Sequence, residues 1–229
     1  MNKPVVLVHG AWHGPWCWER VTPYLDAANI HWVAPDLPSV VDASTGANQT
    51  EDNAVVRDAL DGLPGSENAI LLGHSRGGTV ITEAGTHDRV GHLVYLTAFL
   101  GLENEDTTPY RSDDLNQCLE VQDDGTITVK PELGKAVFYN EHDEDDFGWA
   151  AQQLRPQSLK PFEGKSELAW QTNPTTYVAC RYDNALPIAG QRKMAARATQ
   201  SIEWDTDHSP FVYRPELVAT LLIGMSVSS

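Results

Sequence analysis

Short runs of consecutive apolar residues alternate along the chain with longer stretches in which apolar and polar positions recur at helical spacing. The runs Val5 to His9, His31 to Ala34, Ala69 to Leu72, His92 to Thr97, Thr175 to Cys180 and Ser201 to Trp204 are predicted strands. Their apolar residues are continuous rather than alternating, as expected of strands buried on both faces of a parallel sheet. Helices are predicted over Trp16–Ala28, Glu51–Leu63, Gly77–His87 and Pro187–Ala198, with a last one from Ser209. There Ser209-Pro210 reads as a capping hydroxyl followed by proline at the first helical position. Strand–helix alternation of this kind predicts a doubly wound α/β architecture.

The rhythm breaks after Leu100 and resumes at Thr175. Residues 101–173 are acidic, carry Pro109, Pro131, Pro156 and Pro161, and show no comparable strand. They are read as an insertion between two sheet strands, with residues 1–100 and 174–229 forming the α/β core. A length of 229 residues is enough for one such domain.

Charge narrows the partners. The formal net charge is −16, which repels a polyanion such as nucleic acid and an anionic membrane surface. Fourteen of the acidic residues lie between Glu103 and Asp146. Solubility explains this balance, as does adaptation to a salty cytosol, given only six Lys. Cys17, Cys118 and Cys180 are odd in number and widely spaced, which fits a reducing compartment rather than disulfides or a metal cluster. With no recognisable signal peptide and no apolar run near the ~20 residues of a membrane span, a soluble cytoplasmic protein is expected. A small-molecule partner is expected, with the chain a monomer or homodimer.

The candidate chemistry starts at Gly73-His74-Ser75-Arg76-Gly77. A Gly-x-Ser-x-Gly segment that ends a buried strand and opens a helix is the context of a nucleophile elbow, where a sharp turn holds the serine clear of the sheet. Such a serine needs a base, a group to orient that base, and donors for an oxyanion. His208 follows the last predicted strand, so a parallel sheet puts it at the same carboxyl edge as Ser75. Asp183 follows the strand ending near Cys180 and is the preferred orienting acid. Asp205 and Asp207 are rivals, but a carboxylate so close in sequence on one short loop would struggle to reach the His208 ring. The backbone amides of Arg76, just after the nucleophile, and of Ala11, in the first loop, are the candidate oxyanion donors. His9 reads as a loop-former. The Arg76 guanidinium is expected in an ion pair. The run Glu141 to Asp146 is expected to be a solvated face or helix start; a metal there is conceivable, but the serine chemistry requires neither metal nor cofactor.

The stretch Val5-Val6-Leu7-Val8-His9-Gly10-Ala11-Trp12-His13-Gly14-Pro15-Trp16-Cys17-Trp18 resembles the opening of the plant methylesterase and hydroxynitrile lyase family and its bacterial relatives. The likeness continues through Ala34-Pro35-Asp36-Leu37-Pro38, the Ser75 segment, Tyr95-Leu96-Thr97-Ala98, the Asp183 segment and the His208 loop. In the insertion it is confined to Phe138-Tyr139-Asn140, Leu154-Arg155-Pro156-Gln157 and Pro161-Phe162, similar to the lid of bacterial members. The resemblance implies an α/β-hydrolase fold, a mostly parallel doubly wound sheet with a helical cap inserted over the site. It also implies a Ser75–Asp183–His208 triad with Ala11 and Arg76 as oxyanion amides. The lyase branch usually has Thr after the first-loop histidine and Lys after the catalytic histidine. Gly10 and Ser209 stand there instead, which favours ester hydrolysis. Asp36-Leu37-Pro38 is followed by Ser39-Val40-Val41 rather than Gly-His-Gly, so the pocket beside that turn differs from many hydrolases. Gly10, Trp12, His13, Trp149 and Trp170 are candidate substrate contacts. The expected activity is a serine carboxylic-ester hydrolase acting on small to medium, apolar or aromatic esters. The alternatives are a hydroxynitrile lyase or cofactor-free oxygenase on the same fold, or a slow-turnover small-molecule receptor.

Overall fold

The computed structural model describes residues 2–103, 105–160 and 167–227, so the resemblance at Pro161-Phe162 lies outside the described residues. Six strands form one parallel sheet: β1 (Val5–Val8), β2 (Trp32–Val33), β3 (Ala69–His74), β4 (Val90–Leu96), β8 (Thr175–Cys180) and β9 (Gln200–Trp204), in the order β2-β1-β3-β4-β8-β9. Successive strand residues point to opposite faces, and here both faces are covered. Val5, Leu7, Ile70, Leu72, Val94 and Leu96 pack on one side with Trp18, Leu25, Phe211 and Leu222. Val6, Val8, Leu71, Leu93, Tyr95 and Tyr177 pack on the other with Val56, Leu60, Val80 and Ile81. Two buried faces are the reason the strands read as unbroken apolar runs.

The covering helices are α1 (Thr22–Ala27), α2 (Pro38–Val41), α3 (Gln49–Asp61), α4 (Gly77–Ala84), α8 (Ile188–Ala195), α9 (Pro210–Tyr213) and α10 (Pro215–Val227). Helix α3 starts two residues before its expected Glu51, because Asn48 accepts from the Thr50 amide while Glu51 reaches back to the Asn48 amide. The helix expected over Trp16–Ala28 is split into a 3₁₀ turn at Pro15–Trp18 and α1. The last helix is likewise broken into α9 and α10 at Pro215, which has no N–H to continue the ladder. Pro210 does sit at the start of α9, but the Ser209 side chain makes no capping bond, and its hydroxyl is buried without a partner.

The segment between β4 and β8 leaves the sheet. It carries α5 (Asp113–Cys118), α6 (Pro131–Phe138) and α7 (Glu144–Ala151), and also a three-stranded antiparallel sheet that was not expected: β5 (Leu119–Val121), β6 (Thr126–Val129) and β7 (Gln157–Ser158). The insertion expected to be helical therefore carries a small sheet as well as its helices. Strands β5 and β6 turn at Asp123-Asp124-Gly125, with Gly125 at φ +79°, a conformation that glycine adopts without steric cost. Asp143 caps α7 by accepting from the Asp146 amide, so the acidic run does begin a helix. No helix among the described residues is long and apolar enough to cross a membrane.

Candidate active site

Sheet register decides which side chains meet. Val8 pairs with Gly73, Gly73 with Tyr95, Leu96 with Val178, and Cys180 with Trp204. The carboxyl ends of β1, β3, β4, β8 and β9 therefore lie side by side, and the residues just beyond them are the first loop, Ser75, Thr97, Asp183 and His208. Ligands bind at this edge in open α/β sheets.

Ser75 has φ +51°, left-handed backbone that an L-residue adopts only where its surroundings impose it. The glycines around it explain how. A Cβ on Gly73 would sit 2.6 Å from the Gly77 carbonyl, and one on Gly77 would sit 2.6 Å from the His9 carbonyl. Only glycine lets α4 start this close to β3 and to the end of β1. The same crowding holds the first loop on the serine, since a Cβ on Gly10 would lie 3.0 Å from the Ser75 Cβ. The Ser75 carbonyl accepts from the amides of Gly78 and Phe99, at 3.0 and 3.1 Å.

His208 is buried, and its Nδ1 lies 2.7 Å from Asp183 Oδ2. A carboxylate faces that nitrogen, so Nδ1 carries the proton and Nε2 keeps its lone pair. Asp183 faces donors throughout. Oδ1 accepts from the amides of Ala185 and Leu186 at 2.7 and 2.8 Å, and Oδ2 also accepts from the Thr97 hydroxyl. The rivals are occupied elsewhere. Asp205 pairs with Arg181 at 2.8 Å, and Asp207 accepts from the amides of Ser209 and Glu141 at 3.0 and 3.1 Å.

Thr97, at φ +37° just past β4, and His74 were missed in the sequence. His74 donates from Nε2 to the His208 carbonyl at 2.9 Å, with the two ring centroids 4.7 Å apart. Burial, reinforced by the neighbouring His208, pushes the His74 pKa well below its ordinary value, so it stands neutral beside the base.

A cavity of about 600 Å³ opens on this edge, with Ser75, His208, Ala11, Arg76, Trp12 and Phe99 in its wall. The inserted segment closes it from above with Leu115, Leu119, Ile127, Phe138 and Gln157. Among the described residues, no protein acceptor takes the amide N–H of Ala11 or of Arg76. The Arg76 guanidinium is held at 2.8 Å by the buried carboxylate of Asp52.

Of the candidate substrate contacts, only Trp12 lines the cavity. Gly10 is packed behind it on the elbow. His13 is buried, with Nδ1 donating to the Ala11 carbonyl at 2.7 Å and Nε2 accepting from the Tyr139 hydroxyl at 2.8 Å. Burial outweighs the Ala11 bond and lowers its pKa to about 3. Trp149 stacks edge-on against Trp16 and under Arg20, and Trp170 donates to the Gly101 carbonyl at 3.2 Å. Both tryptophans pack away from this cavity. No group of three His, Cys, Asp or Glu gathers as metal ligands among the described residues, and all three cysteines are buried and free.

With a serine on a strained strand-to-helix turn and a carboxylate-bound histidine at the same sheet edge, the fold and site define a hydrolase class. Residues 5–221 match the alpha/beta hydrolase family, and the chain belongs to it. The pFDCC methylesterase MES16 of Arabidopsis thaliana is 28% identical over 96% of this chain and 94% of its own, and its crystal structure superposes with a TM-score of 0.80 over 97% and 98%. The pheophorbidase of Raphanus sativus is 28% identical over 96% of this chain and 93% of its own. Polyneuridine aldehyde esterase shares the fold at a TM-score of 0.84 and 20% identity, covering 99% of this chain and all of that one.

Proposed function

We propose that this protein is a carboxylic-ester hydrolase with Ser75 as nucleophile, acting through an acyl-enzyme on small to medium apolar or aromatic esters. The observation that carries the reading is the Asp183–His208 bond at 2.7 Å on the cavity wall that also holds Ser75 at φ +51°. Nε2 of His208 takes the Ser75 proton, and the serine oxygen attacks the ester carbonyl. The unclaimed amides of Ala11 and Arg76 receive the negative charge as it develops. The imidazolium formed is stabilised by Asp183, which also fixes its tautomer. It then protonates the departing alcohol, and water repeats the attack to free the acid and restore the serine.

Esterase names among the relatives support the reaction class, and methyl esters are the first substrates to try. The apolar ceiling of Leu115, Leu119, Ile127 and Phe138 supports an apolar or aromatic acyl or alcohol group, with residues 101–173 acting as its cap. A cyanide-releasing lyase would want a cation next to His208. The following residue is Ser209, buried and uncharged, which supports hydrolysis instead. Free buried cysteines support a reducing, cytoplasmic setting. A screen across ester chain length and aromatic methyl esters tests the proposal, with Ser75→Ala alongside. Hydrolysis of apolar esters by the wild type alone is expected. Aldehyde and cyanide released from mandelonitrile without ester cleavage, or tight ligand binding without turnover, would overturn it.

A further inference from the structure

We propose that Arg155 is the positioning residue of the oxyanion-binding loop, setting the Ala11 amide through Asp36 and His9 although it never reaches the substrate. This rests on Ala11 as an oxyanion donor in the serine-hydrolase reading. Arg155 belongs to the inserted segment, yet its backbone and its guanidinium both grip the first loop, and the guanidinium also takes Asp36 beyond β2. Its backbone N–H donates to the Trp12 carbonyl at 2.9 Å. Its Nη2 donates to the His13 carbonyl at 3.0 Å. Its guanidinium takes Asp36 in a fork, with Nη1 to Oδ2 at 2.9 Å and Nη2 to Oδ1 at 2.5 Å. Bidentate pairing of this kind fixes direction as well as distance. Gly14 makes room for it, since a Cβ there would stand 2.5 Å from Nη2.

From Asp36 the chain of contacts runs to the catalytic edge. The amide of Leu37, the residue after Asp36, donates to His9 Nε2 at 3.1 Å, so fixing Asp36 fixes that donor, with Asp36 Oδ1 itself 3.2 Å from the same nitrogen. The other ring nitrogen, Nδ1, is 2.9 Å from the Gly10 carbonyl oxygen. A carbonyl only accepts, so Nδ1–H is the donor. The Gly10 carbonyl and the Ala11 N–H belong to one peptide unit, and in a trans peptide they point in opposite directions. Anchoring the carbonyl on His9 therefore turns the Ala11 N–H the other way, where no group among the described residues accepts it.

The loop needs holding. Trp12 sits at φ +64°, left-handed backbone that a bulky L-residue adopts only under strain. The Arg155 amide binds the carbonyl of that same strained residue. Burial raises the Asp36 pKa, but the charge-assisted fork from Arg155 outweighs it and the pKa comes down to about 2. The carboxylate therefore stays ionised at neutral pH.

The experiment compares Arg155→Ala, Arg155→Lys and Asp36→Asn with the wild type and Ser75→Ala, using p-nitrophenyl acetate turnover. A second measurement is inhibition by an aryl trifluoromethyl ketone, which adds to the serine and leaves an oxyanion, against the matching neutral alcohol. Misplacing a catalytic group by about 1 Å costs on the order of 10²-fold. Arg155→Ala, confirmed folded by circular dichroism, is expected to lose about 30- to 300-fold in kcat with KM within about threefold. The ketone should weaken by a similar factor while the alcohol binds as before. Added guanidinium should restore part of the rate, Arg155→Lys should fall between, and Asp36→Asn should reproduce the split. Should Arg155→Ala not fold, Asp36→Asn carries the same test alone. Unchanged kcat, or a loss confined to KM with ketone affinity intact, overturns the positioning role. Normal turnover by Ser75→Ala is a separate failure, because it removes the serine reading whatever Arg155 does.

Discussion

The carboxyl edge of the parallel sheet and the inserted segment above it enclose the same cavity, but they are built on different physical terms. At the sheet edge the polar groups are buried and largely paired. Asp183 alone receives the Ala185 and Leu186 amides, the Thr97 hydroxyl and the His208 ring. Strands β1, β3, β4 and β8 each lie between two neighbours in the sheet, which fixes where the residues beyond them stand. The insertion holds short antiparallel strands with Val121 67% exposed, and it meets the cavity with apolar side chains such as Leu119, Ile127 and Phe138 beside polar ones such as Glu105, Asp106 and Arg111. Apolar contact is non-directional. The edge is thus suited to chemistry and the insertion to choosing what fits, except where Arg155 reaches from one into the other.

Changes at the edge should strike kcat, and the largest effect short of the nucleophile is expected there. Asp183→Asn keeps the shape but removes the acceptor that fixes the His208 tautomer, so kcat should fall about 10³–10⁴-fold with the fold intact. Steady-state kinetics beside circular dichroism checks this, and a fall below about tenfold would break the contrast. Gly77→Ala acts on the scaffold instead, forcing a Cβ to within 2.6 Å of the His9 carbonyl. A loss of about 3 kcal/mol is expected from urea unfolding.

Acid exposes the same buried edge. His13 has its pKa lowered to about 3 by burial against an ordinary 6.5, and His74 is shifted in the same direction. Both are neutral when folded and free to take a proton when unfolded, so the unfolded state binds more protons below about pH 6.5. The His13 contribution is complete above that pH and is lost as the pH falls towards 3, and His74 acts in the same direction. Between pH 7 and pH 5, His13 alone should cost about 2 kcal/mol in urea-derived stability. The smallest effect is expected in the insertion. Leu119→Ala or Ile127→Ala removes apolar wall and should raise KM for aromatic esters about three- to tenfold with kcat nearly unchanged.

What could be read from the sequence follows the same division. That Ser75, Asp183 and His208 lie at one sheet edge was legible because buried parallel strands announce themselves as apolar runs, and their carboxyl ends then fix which loops meet. Thr97 was harder, since its role depends on a left-handed turn that an ordinary threonine does not signal. In the insertion the signal was faint. Asp124-Gly125 between Glu120-Val121 and Thr126-Ile127-Thr128-Val129 was the one available hairpin cue. Trp149 and Trp170 look like pocket residues in a composition, but nothing in a sequence says which wall a lone aromatic packs on. Arg155 was quoted only as part of a likeness, because a guanidinium bound to a residue 119 positions away leaves no local trace.

The central claim is that Ser75 carries the acyl group, and trapping that intermediate tests it most directly. Wild type and Ser75→Ala are mixed with a p-nitrophenyl ester, quenched in acid and weighed intact, with peptide mapping of any adduct. The wild type should gain one acyl mass on the peptide containing Ser75. Ser75→Ala should gain none and turn over about 10⁴–10⁶-fold more slowly, a barrier higher by roughly 5.5–8 kcal/mol. An adduct on another residue, or near wild-type turnover by Ser75→Ala, would contradict it.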